Sequence, residues 1–454
     1  MYKFETEKLI GSEEDIRPYV DSNFSKNIIL SATEFLTMKR KTKDGKYALN
    51  KNTIVFGKLG TGKTRNLIMP NLMQMHSSYV VLDRGGEILD KLGSMFRGNG
   101  YDLKVLDLLN FDLSNNYNPF EYIKNHNDIF SLVDALVANV LFPKNESPNC
   151  FSTKVNKMLL RSLFAGVRFG LSKEKRKMET IINLINSASE GFKEDDVKKY
   201  EDYLDNWFKK LNKKKDKTNN VETEKGLTYA ISQYEAFKVA TERSIKMKKA
   251  FLITCEAMLC YFGFSEIKKI TNGDNLKLRS LGTKKSILFI VTPEVSNMND
   301  SLLTAMLLTQ TFNVLLDLSD KNDGHLPVHV RFLLDDFGSV IKMPKLKILP
   351  HKLKNRNISI MMTFLSESQF KSIYLEDFVV IMENFDSIVF LDNTKPFFLK
   401  FPTKVKDNES QEMELLDVSV NAKKCTVYIS GLPPFVSDKY KIEDHPNYKF
   451  LNNL

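Results

Sequence analysis

The amino-acid sequence predicts an α/β fold with a mostly parallel central sheet and an inserted all-α domain. The first observation is a series of short, near-continuous apolar runs separated by helical segments, which is typical of strands buried on both faces of a parallel sheet. The second is that such runs are missing between about Glu146 and Leu281, where apolar residues recur at helical spacing. The length of 454 residues leaves room for two or three domains.

The apolar runs that predict strands are rich in β-branched and aromatic residues, and each is four to six residues long. In chain order they occupy residues 53–56, 78–82, 103–106, 286–291, 330–334, 358–362 and 387–391.

These patterns divide the chain into three predicted parts. Residues 1–50 are a polar segment that is expected to pack on the sheet domain. Residues 51–145 and 282–454 are predicted to form that domain, and residues 146–281 the all-α domain, which has a normal domain size. The densest charge run, at 209–217, fits a solvated loop or a contact with DNA.

Composition indicates a globular protein, because 42% of the residues are apolar and 27% are charged. Lys plus Arg is 66 and Asp plus Glu is 56, so the net charge is +10. This charge permits an acidic partner such as nucleic acid or an anionic membrane face, but a generally Lys-rich composition explains it equally well. The four cysteines lack CxxC spacing, which favours reduced thiols in a cytosolic chain and no metal site.

No segment of the sequence predicts a membrane span. The N-terminus has no apolar signal-peptide core. The most apolar long stretch, residues 302–318, contains polar residues such as Gln310 and Asp317 and falls short of the roughly 20 apolar residues that cross a bilayer. The expectation is a soluble protein without a transmembrane helix.

One segment matches a phosphate-binding motif, GxxxxGK[ST], in full. It follows a predicted strand and opens a predicted helix, so its backbone N–H groups and the helix dipole can surround phosphate oxygens. Lys63 is expected to reach the β- and γ-phosphates of ATP, and the Thr64 hydroxyl to ligate Mg²⁺. The predicted nucleotide-binding residues are Gly57, Lys58, Leu59, Gly60, Thr61, Gly62, Lys63, Thr64 and the adjoining Arg65.

A phosphate-binding loop also predicts a second strand that ends in a carboxylate. The run FLLDD at 332–336 meets this expectation. Asp335 is predicted to act on Mg²⁺. Asp336 stands where translocating ATPases usually place a Glu that polarises the attacking water, and it is one methylene shorter than Glu. A buried strand that ends at a polar turn is the plainer interpretation of the same residues.

Several long strings resemble the type IV coupling proteins of conjugative elements, the TraG-type conjugal-transfer ATPases. The resemblance runs nearly end to end and is weakest inside the helical insertion. The strings are PNLMQMHSSYVV at 70–81, YNPFEYI at 117–123, LPVHVRFLLD at 326–335, SDKY at 437–440 and HPNY at 445–448.

This resemblance implies a RecA-like P-loop NTPase core, an all-α lobe and a ring that recruits a relaxase–DNA complex to a secretion channel. The implied partners are single- or double-stranded DNA, relaxase or relaxosome proteins and type IV secretion channel components. A homo-hexamer, or a monomer that assembles on DNA, is expected. The family's N-terminal membrane anchor has no counterpart in the sequence, so a cytoplasmic location at the membrane face through a partner is expected.

Three replacements depart from the family's pattern and are expected to weaken ATP hydrolysis. Gly85 replaces a lysine in the DPKGE motif, Asp336 replaces a Glu, and Leu365 replaces a sensor-like Gln. Arg356 stands where the family keeps an arginine that could reach a neighbour's γ-phosphate; an ordinary surface arginine is the alternative.

Two functions therefore follow from the sequence. The first is a DNA-linked ATPase of conjugal transfer with an incomplete catalytic set. The second is a non-enzymatic nucleotide-binding adaptor that recruits substrate to an anchored, active homologue. A chromosomal DNA pump is a distant third, and the YNPF and HPNY strings argue against it.

Overall fold

The computed structural model describes residues 10–39, 49–140, 150–190, 203–295, 298–392 and 422–451. Its strands, labelled in chain order, are β1 Asn27–Ile29, β2 Phe35–Thr37, β3 Thr53–Phe56, β4 Ser78–Arg84, β5 Asp102–Asp107, β6 Ser286–Thr292, β7 Val330–Leu334, β8 Ile358–Phe364, β9 Ser387–Phe390, β10 Lys424–Ile429 and β11 Phe435–Asp438. The α-helices are α1 Glu13–Ile16, α2 Met69–Met73, α3 Glu87–Gly98, α4 His126–Val140, α5 Phe151–Gly170, α6 Met178–Glu190, α7 Tyr203–Lys215, α8 Val221–Thr241, α9 Ile245–Leu259, α10 Ser265–Thr271, α11 Met298–Asp320, α12 Phe337–Val340, α13 Leu349–Leu353, α14 Glu367–Tyr374 and α15 Phe378–Met382.

A central sheet of nine strands dominates the described part of the chain, in the order β11-β10-β9-β3-β8-β7-β4-β6-β5. The pairs from β9 to β5 are parallel, and β10 and β11 add an antiparallel edge. Every residue of β6, β7 and β8 is buried, as expected for strands covered on both faces. The predicted α/β fold with a mostly parallel sheet is confirmed.

Alternate residues of the strands supply two separate hydrophobic cores, because successive side chains point to opposite faces of a sheet. On one face, residues such as Phe332 and Ile360 pack with helices α4 and α11. On the other face, residues such as Leu333 and Met361 pack with α2, α3 and the β1–β2 ribbon through Ile28.

Between β5 and β6 the described chain is helical. Helices α5 and α8 make the most extensive contact of this region, and their apolar residues join the core on the α4 face of the sheet. The division at residues 146 and 281 stays a prediction, since α4 already precedes it and belongs to the same core.

The sequence left a solvated loop or a contact with DNA open for the lysine-rich run; the loop is wrong, because most of the run lies in α7, Tyr203–Lys215. Leu204, Phe208 and Leu211 are buried and recur at helical spacing, and Lys is a good helix former. Lys209 and Lys210 are exposed on the other side of this helix. The apolar stripe therefore decides the local structure and leaves the charges in solvent.

One described helix is apolar and long enough to cross a membrane by length and composition. It spans Asp300–Asp320, and 78% of its apolar window is buried inside the protein, largely against α4. The pair Ile245–Gly263 and Ser265–Thr271 meets the same test when taken together, with a bend of 80°. Core helices of globular domains commonly have this composition.

Candidate nucleotide-binding site

The loop after β3 has the backbone shape that phosphate binding needs. Gly60 and Gly62 have φ of 76° and 94°, a left-handed conformation that favours glycine. The loop begins where the Gly57 N–H donates to the Phe364 carbonyl of neighbouring β8 at 3.0 Å. It ends at a π-helical turn, Lys63–Ile68, which leads into α2. The predicted strand–loop–helix context is therefore present.

Lys63 is the buried cation of this loop, with 6% of the residue exposed. Its ammonium donates to the carbonyls of Gly57 at 2.9 Å and Lys58 at 3.2 Å. It also forms an ion pair with Asp336 at 3.2 Å. These contacts hold the charge inside the curve of the loop, where phosphate oxygens are expected to bind.

The sheet brings Thr64 and Asp335 together although 271 positions separate them in sequence. The Thr64 hydroxyl donates to Asp335 Oδ2, and the Thr363 hydroxyl of β8 donates to Oδ1 at 2.8 Å. Burial raises the pKa of Asp335, and the adjacent Asp336 adds to the effect, while the two hydroxyl donors oppose it. A hydroxyl oxygen and a carboxylate oxygen are the kinds of ligand that suit a hard cation such as Mg²⁺.

The described residues contain no cluster of three or more His, Cys, Asp or Glu side chains that could hold a metal ion. A cation at Thr64 and Asp335 would therefore take its remaining ligands from water and from phosphate oxygens. This is how Mg²⁺ is usually bound in nucleotide sites, because it dehydrates reluctantly.

The carboxylate of Asp336 forms ion pairs with two cations, one at each oxygen. Its backbone is left-handed, with φ of 44°, and its N–H donates to the Thr363 hydroxyl at 2.7 Å. One carboxylate oxygen lies 3.2 Å from Lys63 Nζ, and the other lies 3.2 Å from Arg84 Nη1. Both oxygens of the predicted general base thus face cations.

Arg84 was not among the predicted site residues. It ends β4, next to β7 in the sheet, and its other terminal nitrogen donates to the Glu294 carbonyl. Compared with the family's DPKGE motif, the chain lacks a lysine at Gly85, but Arg84 places a positive charge one residue earlier. Nothing in the sequence distinguished Arg84 from an ordinary arginine at the end of a strand.

The side chain of Asp83, just before Arg84 in β4, accepts hydrogen bonds from the first turn of helix α3. Its two oxygens accept from the N–H groups of Ile88 at 3.2 Å and Leu89 at 2.8 Å. Burial raises the pKa of Asp83 to about 7. Gly85 and Gly86 both have positive φ in this turn.

The amide of Gln369 occupies the end of β8. Its Oε1 accepts from the Leu365 N–H at 2.8 Å, and its Nε2 donates to Ser339 Oγ at 3.1 Å. Leu365, which replaces a sensor-like Gln, is therefore contacted by a Gln from helix α14.

The C-terminal segment also reaches the loop, which the sequence did not predict. Lys439 Nζ donates to the Thr61 carbonyl at 2.9 Å. Arg65 is 62% exposed and pairs with Glu443, which raises the pKa of its guanidinium. Arg65 thus faces the C-terminal segment, and its predicted role in nucleotide binding stays a prediction.

Arg356 lies far from the loop of its own chain. It precedes β8, whereas the loop follows the carboxyl end of parallel β3, so the length of β8, roughly 20 Å, separates them. Its guanidinium contacts Asp320 and donates to Ser319 Oγ at 2.7 Å. A contact with a phosphate would require a neighbouring subunit, and this role stays a prediction.

A parallel sheet with a glycine loop, a buried lysine and a Thr–Asp pair at its carboxyl edge defines a P-loop NTPase. The family model described as Type IV secretory system Conjugative DNA transfer matches residues 18–394. The chain belongs to this family, as its sequence motifs predicted.

Solved structures of a conjugative coupling protein have the same fold. The bacterial conjugative coupling protein TrwBdeltaN70 in complex with sulphate matches with a TM-score of 0.61 and 14% identity, over 95% of this chain and 93% of that chain. The plasmid coupling protein TrwB in complex with ADP and Mg²⁺ matches with a TM-score of 0.62 and 14% identity, over 95% and 92%. TrwB with the ATP analogue ADPNP gives 0.60 and 14%, over 96% and 93%. These similarities confirm the RecA-like core. Among curated proteins, none matches the chain in sequence.

Proposed function

We propose that the chain is a conjugal-transfer coupling protein that binds ATP with Mg²⁺ through its phosphate-binding loop. The observation that carries the proposal is the meeting of Lys63, Thr64 and Asp335 at the carboxyl edge of the sheet. The ADP and Mg²⁺ complex of TrwB supports it, because that protein shares the fold.

Each residue of the site has a chemical role in this proposal. Lys63 neutralises charge on the β- and γ-phosphates, and the loop N–H groups bind their oxygens. Thr64 and Asp335 would hold Mg²⁺, which when bound neutralises charge on the phosphates. Thr363 fixes the orientation of Asp335 through its 2.8 Å hydrogen bond.

Hydrolysis is proposed to be slow. In-line attack needs a water aligned by a base, and Asp336 is both shorter than Glu and paired with two cations. A 1 Å misplacement of a catalytic group can cost roughly 100-fold in rate. Arg356 would supply positive charge to a neighbouring subunit's γ-phosphate, so turnover would depend on ring assembly, with a hexamer as the proposed form.

The proposed partners are DNA, a relaxase or relaxosome protein and components of the secretion channel, at the cytoplasmic face of the membrane. The family's description as conjugative DNA transfer supports this assignment.

The second candidate function is a nucleotide-binding adaptor that does not hydrolyse ATP. The double pairing of Asp336 favours it, and a steady-state ATPase measurement with and without single-stranded DNA separates the two.

The binding proposal predicts that Lys63→Ala abolishes ATP binding, because the loop loses its phosphate-neutralising charge. Isothermal titration calorimetry with Mg²⁺-ATP checks this. Lys91→Ala removes an exposed lysine that pairs with Glu87 and should bind ATP as the wild type does. A wild-type protein that releases no heat with ATP would contradict the proposal.

A further inference from the structure

A second polar region lies at the amino ends of the strands, across the sheet from the phosphate-binding loop. A pocket of ≈ 750 Å³ opens there, lined by residues that directly precede β3, β7 and β9. The lining residues that matter here are Lys51, His329 and Asp386. Small-molecule sites have volumes of roughly 300–1,000 Å³, so the pocket is large enough for a ligand.

Arg331 is the second residue of β7 and follows His329 by two positions, so the two side chains are expected on the same face of the sheet. It is 0% exposed, and among the described residues none of its three guanidinium nitrogens has a hydrogen-bond partner. Tyr79 and Ser359 are its neighbours on the adjacent strands. An unpaired buried cation strongly destabilises a fold, and buried charges in proteins are normally paired.

Three other titratable groups, Lys51, His76 and His329, lie close enough to Arg331 to interact with its charge. Burial and the nearby Arg331 lower the pKa of Lys51 to about 8 and that of His76 to about 3. The pKa of His329 is lowered well below its usual value by burial, by His76 and by Arg331. Ser77 Oγ lies 2.6 Å from His76 Nδ1 and 2.9 Å from His329 Nδ1, so it links the two rings.

Other charged groups of the region do not neutralise this cluster. Lys285 adds positive charge near His76. Asp386 is the carboxylate that acts on Lys51, and it accepts from the Asn50 N–H at 2.7 Å. Both imidazoles are neutral near pH 7, and the cations Arg331, Lys51 and Lys285 still outnumber this carboxylate.

Hydroxyl groups without hydrogen-bond partners lie on the same sheet face. Thr53, Ser359 and Ser387 are buried, and their side-chain oxygens have no partner in the described part of the chain. Thr53 is opposite Ser387 in the register of β3 and β9, and Ser359 is opposite Arg331 in that of β7 and β8. Arg331 and these three hydroxyls thus come from four neighbouring strands, and each lies one or two residues along the chain from a residue that lines the pocket.

We propose that this region is a second anion site, which binds a small phosphate-class oxyanion with Arg331 as its main cation and Lys51 and His329 as supporting donors. A guanidinium offers paired donors that match oxyanion geometry. The site is separate from the nucleotide site, because it lies at the amino ends of the strands, whereas the phosphate-binding loop lies at their carboxyl ends.

Inorganic phosphate is the probe, and Lys63→Ala protein is the background, because that substitution disables the phosphate-binding loop. Phosphate is expected to raise the melting temperature and to shift the imidazole NMR signals of His76 and His329 toward the protonated form. Calorimetry should show that Arg331→Met, in the same background, binds phosphate about 10- to 100-fold more weakly, the value of a hydrogen bond to a charged group. The same concentration of chloride should have no such effect.

Two further variants keep the test decisive. Arg279→Met removes a half-exposed guanidinium that pairs with Asp317, and it should leave phosphate binding unchanged. Lys51→Gln should weaken binding even if Arg331→Met does not fold. Without phosphate, Arg331→Met should be at least as stable as its parent, because an unpaired buried charge is removed. Equal phosphate affinity in the parent, Arg331→Met and Lys51→Gln proteins, or no shift of the two imidazoles, would overturn the proposal.

Discussion

At the residue scale, Asp336 is the side chain on which we expect the rate of ATP hydrolysis to depend most. Its carboxylate is shared by Lys63 and Arg84, each at 3.2 Å. Asp336→Glu adds one methylene, and we expect it to raise the ATPase rate by roughly 10- to 100-fold, because it brings the base closer to the water. Combining it with Leu365→Gln should raise the rate more than either change alone, since both act on the same water. Steady-state phosphate release at saturating ATP measures this.

The matched control is Asp90→Glu, the same chemical change at an exposed position on helix α3. It should leave the rate unaltered. An ordinary motor rate in the wild type, with no gain in the Asp336→Glu protein, would show that the aspartate suffices and that the adaptor function should be dropped.

The sequence predicted those residues of the candidate nucleotide site that belong to a recognisable local motif. The glycine loop, Lys63 and Thr64 are contiguous, and Asp335 follows a recognisable strand. Arg84, Gln369 and Lys439 were missed because their contacts with the site arise from the sheet order and the C-terminal segment, which local patterns do not encode.

At the element scale, helices α5 and α8 pack closely through Gly226. A Cβ atom there would lie 2.2 Å from Cγ of Phe169, whose residue is 6% exposed. We expect Gly226→Ala to lower the free energy of unfolding by about 1–3 kcal/mol, the usual cost of overpacking. Urea denaturation followed by circular dichroism measures it.

Gly98→Ala provides the comparison, since no atom lies within 4 Å of its added Cβ at the end of α3. It should be neutral or stabilise by up to about 1 kcal/mol through helix propensity. Equal destabilisation by the two alanines would show that Phe169 does not limit the approach of α5 and α8.

The predicted strand runs all coincide with strands β3 to β9, because a continuous apolar run is a strong signal for a buried parallel strand. The antiparallel edge strands β10 and β11 were missed. β10 does contain a strand-like run, TVYI at 426–429, which is the same kind of signal as TIVF in β3. β11 has one buried residue, Phe435, and ends at the exposed Asp438, so no such run marks it. The three-residue strands β1 and β2 are too short to show a period.

At the scale of the whole molecule, the relevant property is the net charge of +10. A family described as conjugative DNA transfer must meet a polyanion, and phosphate contacts from Lys and Arg bind it without regard to base sequence. Exposed lysines of α7, such as Lys209 and Lys210, are available for such contacts. We therefore expect DNA binding with little sequence preference.

The salt dependence of DNA binding tests this electrostatic account. A protein that contacts six to ten phosphates loses about 10³- to 10⁵-fold in affinity between roughly 50 and 200 mM salt, because each neutralised phosphate releases condensed counterions. Fluorescence anisotropy with a labelled oligonucleotide at several salt concentrations gives the slope directly. A scrambled oligonucleotide of equal length should give the same slope, since the phosphates are unchanged. An affinity that stays constant over this range would mean that the positive charge of the chain serves solubility and that DNA is held through another protein.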